Sequence, residues 1–178
     1  AYDIAEGHNH VSNYVTVAIE AEREVSRLEV LTVSNSEFII KDAGDGNNTT
    51  SWLEVQGTGV FTVDLDAAEF IADSERQYVL VRIPNPVLTN CAVSGIGKQF
   101  WNSNNFPLTN GSIAEGVRLS QEQFAEGRIR LEDSIRQNRR FHEAAQSAAR
   151  LTIESIVKKW NPSIPDLQVE VEFITNKT

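Results

Sequence analysis

The sequence predicts an α+β fold: a mainly antiparallel sheet of about five strands, an N-terminal helix, and one long C-terminal amphipathic helix followed by a last strand. Three observations carry this expectation. From Ser120 to Trp160 there is no proline and a single glycine, Gly127. Pro162 and Pro165 then end the helix, because proline lacks a backbone donor and collides with the preceding turn. Behind them, Leu167-Gln168-Val169-Glu170-Val171-Glu172-Phe173 alternates apolar and polar, the period of a strand with one buried face.

The elements before the long helix are read from period and punctuation. Residues 1–10 hold Gly7, Asn9 and two histidines without periodicity, and read as a flexible tail. Residues 11–178 read as one α+β domain, a length that can enclose a real core. Val11, Tyr14, Ala18, Ala21 and Val25 recur at helical spacing, although Tyr14 to Ile19 also alternates like a strand. Leu28 to Lys41 is rich in β-branched and aromatic residues and reads as a strand. Residues 42–48 form a turn-rich loop, and Ser51 to Leu65 a strand or hairpin in which Gly57 and Gly59 mark a bulge or close approach. Asp66 with Glu69 reads as a capping box opening a short helix through Ala72. Gln77 to Ile83 alternates and closes on Pro84, and Asn85-Pro86 turns the chain into a strand around Cys91. Gly95 to Gly116 reads as a loop carrying Phe100, Trp101 and Phe106.

The long helix, about 120–160, opens on a second capping pattern, Ser120 with Gln123. Gly127 is the place where it would kink or break. Leu131, Ile135, Ala145, Ala149, Ile153, Ile156 and Trp160 form one stripe. Opposite charges four apart lace the outer face: Glu126 with Arg130, Glu132 with Arg136, Arg139 with Glu143, Glu154 with Lys158.

The net charge of −9 argues against a general nucleic-acid binder, which carries a basic face. Residues 1–117 hold 6 Lys/Arg against 16 Asp/Glu, whereas residues 118–160 hold 9 against 6. Either a basic helix packs on an acidic body, or it offers a basic stripe to a partner. The single cysteine, Cys91, excludes an internal disulfide and reads as a small buried hydrophobe in a strand. No apolar run approaches the roughly 20 residues that a membrane-spanning helix needs. The chain contains no methionine, so the expectation is a mature or truncated segment with any anchor or export signal cut away.

Candidate chemical motifs each have a simpler explanation. His8-Asn9-His10 lacks a third metal ligand and reads as tail. Asp42, Asp45, Asn47 and Asn48 suit calcium by residue type, but the EF-hand positions fall on Gly44, Gly46 and Leu53. Asp64 and Asp66 can act as an acid–base pair, but Asp66 has a role as helix cap. His142 sits near the helix seam, and with Asn138 it can set register if the helix self-associates. There is no nucleophile elbow and no phosphate-binding glycine loop. No metal or cofactor is expected.

Several pieces together resemble a bacterial family, the domain of unknown function 4230 family. The resemblance spans roughly Leu28 to Phe173. It rests on Leu28-Glu29-Val30-Leu31-Thr32-Val33, then Gly57-Thr58-Gly59-Val60-Phe61-Thr62-Val63-Asp64-Leu65-Asp66, then Val79-Leu80-Val81-Arg82-Ile83-Pro84, and last Ala144-Ala145-Gln146-Ser147-Ala148-Ala149 before the final strand. Thr62 stands where members tend to carry glycine. The resemblance implies an α+β domain on the extracytoplasmic face of the bacterial envelope, behind an N-terminal membrane span, and implies no activity.

The leading expectation is therefore a non-enzymatic interaction or assembly domain. Its partner would be another protein or a second copy, met through the long helix at Arg136, Arg139, Arg140 and His142. The alternative is a small-ligand-binding or sensory domain using Phe100, Trp101 and Phe106. A hydrolase using Asp64 and Asp66 ranks last.

Overall fold

The computed structural model describes residues 27–42, 50–102 and 110–175. It is α+β, with strands β1 (Arg27–Asp42), β2 (Thr50–Asp64), β3 (Glu69–Asp73), β4 (Tyr78–Pro84), β5 (Val87–Asn102) and β6 (Gln168–Ile174), and helices α1 (Asn110–Gln137) and α2 (Arg139–Trp160). The described strands number six rather than five, and they form two three-stranded sheets, ordered β1-β2-β5 and β3-β4-β6. β3 pairs antiparallel with β4, but β6 runs parallel to β4. The expected tail and N-terminal helix, and the candidate calcium loop at Asp45, Asn47 and Asn48, lie outside the described residues.

The long helical region is two helices. α1 starts at Asn110, ten residues before the expected cap, so Ser120 lies inside it. The break falls at Asn138, not at Gly127. There the Asn138 N–H bonds to the Ile135 carbonyl at 3.3 Å, a three-residue closure that tightens the last turn. Gly127 stays helical because it is a packing residue: an added Cβ would lie 2.5 Å from Val55 Cγ2.

The chain divides into two compact units. Among described residues the first holds 27–31, 60–89 and 139–175, and the second holds 32–59 and 90–138.

In the first unit α2 packs on an apolar core. Ala149, Ile153 and Val157 recur every fourth residue along the helix and bury with Val63, Leu65, Val79, Val81, Ile83 and Leu167. The alternation of β6 is as expected. Leu167 is buried and Val169, Val171 and Phe173 pack against the core, while Gln168, Glu170 and Glu172 are exposed. Asn161 ends α2 by donating its Nδ2 to the Val157 carbonyl at 2.8 Å, and its own N–H bonds to Lys158 O at 3.1 Å.

The stretch after β2 differs from the expected helix. Asp64, not Asp66, is the cap: its Oδ1 accepts the Asp66 N–H at 3.0 Å and opens a 3₁₀ turn over Leu65–Ala67. The turn closes when the Ala68 N–H meets Leu65 O at 3.1 Å. Glu69 to Asp73 then pairs with β4, because Phe70 and Ile71 gain more from a ladder than from a short isolated helix. At the β3–β4 turn Asp73 Oδ1 accepts N–H groups from Glu75 and Arg76, and Gln77 takes a left-handed φ of 51°.

In the second unit Leu119, Gln123, Leu131 and Ile135 are buried along α1 with Gly127 in the same row, again every fourth residue, and Gln123, Gly127 and Leu131 meet residues of β1 and β2. Gln123 is fully buried and its Nε2 donates to the Ile39 carbonyl at 2.8 Å and the Ser51 carbonyl at 2.7 Å. Leu131 packs so close to Gly57 that an added Cβ there would meet its Cδ2 at 2.3 Å.

Candidate functional site

The residues expected to form an interaction surface are divided between the two helices. Arg136 lies on α1 in the second unit and pairs with Glu132 at 2.8 Å. Arg139, Arg140 and His142 lie on α2 in the first unit, where Arg139 pairs with Glu143 at 2.8 Å. His142 is half-buried, its ring edge-on to Phe61 with centroids 5.2 Å apart. The other two expected helix pairs also form, Glu126 with Arg130 at 2.8 Å and Glu154 with Lys158 at 2.9 Å. At surface exposure each such pair contributes only about 0.2–0.5 kcal/mol.

The aromatic-loop expectation changes with the elements. Phe100 and Trp101 lie on β5, which continues to Asn102, so they are strand positions, and Phe106 lies outside the described residues. The run of Asn, Ser and Gly suggested a loop, but Val87 to Asn102 finds a neighbour in β2 and stays extended.

Asp64 and Asp66 are both exposed, and one Asp64 oxygen is engaged by the capping bond. Asp64 lines a small cavity, and Asp66 is not part of that lining. Cys91 is a free, half-buried thiol on β5. Burial pushes its pKa up and Glu132 adds to that, while Arg136 and Arg128 oppose it. It is therefore held as the thiol at neutral pH and is a poor nucleophile. Among the described residues no three His, Cys, Asp or Glu side chains are grouped to hold a metal, and no helix is long and apolar enough to cross a membrane.

One surface feature was not anticipated. In the second unit Ile96, Val117 and Phe124 line a groove of about 490 Å³ with Gln99, Ser120 and Gln121. All three apolar side chains are exposed, at 49%, 47% and 39%. The Gln99 Nε2 donates to Ser120 Oγ at 2.7 Å and ties the strand end to the helix. Val117, Gln121 and Phe124 at i, i+4 and i+7 form a second stripe beside the buried one, a signal hidden when the helix is taken to start at Ser120. The opposite side of this unit carries exposed Phe38, Ile40 and Trp52, which alternate with buried Ile39, Ser51 and Leu53.

Comparison of the chain with family models, with curated proteins and with solved structures finds no match.

Proposed function

We propose that this chain is a non-enzymatic assembly domain of the bacterial envelope, which associates with a second copy of itself through the α1 surface. The extracytoplasmic setting and an N-terminal membrane span beyond this sequence belong to the proposal, and the resemblance to the domain of unknown function 4230 family supports them. The observation that carries the reading is the groove of Ile96, Val117 and Phe124. Large apolar side chains gathered in one exposed groove mark protein interaction surfaces. Charge supports a second copy as occupant. Residues 118–160 are net basic while residues 1–117 are strongly acidic, so one chain's helices complement another chain's body.

The test is the oligomeric state of the full-length, anchored protein, read by in-cell crosslinking with mass spectrometry and by light scattering at low salt. Self-crosslinks through α1 are expected. Phe124→Glu should weaken association at least about tenfold, since a charge placed in an apolar contact costs more than the 1.4 kcal/mol that tenfold represents. Reversal of Arg136, the one of the three arginines on α1, to Glu should weaken it further at low salt and little at high salt. A monomer at every concentration, or crosslinks only to a different protein, overturns self-assembly.

A further inference from the structure

A cavity of about 230 Å³ in the first unit is lined by the polar residues Arg27, Thr62, Asp64 and Asn85, with Ala67, Pro84 and Val87 as its apolar wall. Its two charges are opposite, yet Arg27 and Asp64 make no ion pair with each other or with any other described residue. Thr62 is 5% exposed and its hydroxyl has no hydrogen-bond partner among the described residues. A buried hydroxyl without a partner is unfavourable and calls for an explanation such as a bound group.

We propose that this cavity binds a small zwitterion of the α-amino-acid class, its carboxylate on Arg27, Asn85 and the Thr62 hydroxyl and its ammonium on Asp64. The guanidinium fork matches a carboxylate in geometry and charge. Asn85 already uses its Oδ1 to accept from Gln146 Nε2 at 2.7 Å, which leaves its Nδ2 as a donor for the same carboxylate. Asp64 spends Oδ1 on the Asp66 N–H at 3.0 Å, which leaves the other oxygen for an ammonium. A simple anion would face Asp64 and a simple cation would face Arg27. Arg27 and Asp64 are both exposed at the rim, and a molecule carrying both charges pairs with each of them at once. Ala67, Pro84 and Val87 give the ligand an apolar wall, and glycine and alanine are the smallest members of the class.

Titration calorimetry of the whole chain with glycine and L-alanine tests this, with N-acetyl-L-alanine and L-alaninamide as analogues that each lack one charge. Saturable binding of the free amino acids is expected, with both analogues at least about tenfold weaker. Asp64→Asn should cost a similar factor while leaving the fold intact, because Asn caps a helical turn as well as Asp. Arg27→Gln should do the same from the other end. No binding of glycine or L-alanine, equal binding of the analogues, or affinity unchanged in either variant overturns the proposal.

Discussion

α2 and α1 are laid on their strands by different chemistry. α2 meets β4 and β6 through Ala149, Ile153 and Val157 against valines and isoleucines, a core of apolar area with Arg150 stacked over the Phe173 ring at its edge. α1 meets β1 and β2 through a buried glutamine bonded to two carbonyls and through glycines at 57 and 127 that let backbone and side chain approach closely. The first arrangement tolerates repacking, because hydrophobic attraction has no direction. The second depends on a few positions with fixed geometry, so its weak points are single residues. The second unit also leaves Ile96, Val117 and Phe124 exposed along one groove.

Substitutions in order of expected effect sharpen this contrast. Ile153→Ala should remove about 2–5 kcal/mol, as for other buried isoleucines, measured by denaturant unfolding. An effect below 1 kcal/mol would mean that the α2 interface is not the apolar core described. Gly57→Ala adds one methyl but meets Leu131 Cδ2 at 2.3 Å and the Ala92 carbonyl oxygen at 2.6 Å, and the second of these is backbone. About 1–3 kcal/mol of overpacking is expected, seen as loss of hydrogen-exchange protection in the second unit. Unchanged protection there would break the close-approach account. Gln123→Leu keeps the volume but leaves the Ile39 and Ser51 carbonyls without their donor, for about 1–3 kcal/mol. A stabilised Leu variant would show that the glutamine is dispensable.

The smallest effect is electrostatic and confined to the same unit. Lys41 bonds to Glu122 at 2.9 Å and, with Arg118, lowers the Glu122 pKa. A lowered folded-state value makes the carboxylate stabilising above its ordinary range near 4.3, and that contribution disappears as pH falls through the folded value. Glu122→Gln should therefore melt slightly below the parent at neutral pH and converge with it in acid. A gap that widens in acid would contradict the pairing.

Much of the fold was legible where one physical signal acted alone. The alternation from Leu167 to Phe173 could satisfy only one face, and the β-branched run from Leu28 to Lys41 left little choice. Reading failed where two local signals competed. Asp64 and Asp66 are both of a residue type that caps helices, and only the pairing of Phe70 and Ile71 with β4 decides against the expected helix. Gly127 resembled a helix breaker because its neighbour, Val55, lies far away in sequence. Of the candidate site, the helix ion pairs could be read from spacing, whereas the groove and the Arg27–Asp64 cavity could not. Each gathers residues from separate segments that only the folded chain brings together.

The parallel pairing of β4 with β6 has a consequence for synthesis. Tyr78 hydrogen-bonds to Glu170, 92 positions further along the chain, and Arg82 to Glu172, 90 positions further. Every residue of the second unit leaves the ribosome before α2 and β6 do. The second unit can thus be complete while the valines of β4 still wait, uncovered, for a strand not yet made. Closing so long a loop is slow, and an apolar strand waiting in that state is open to misassembly. The order of birth of the two units is thereby the reverse of what their places along the early strands suggest, and the nascent chain should need a chaperone most while residues 139–174 are being added.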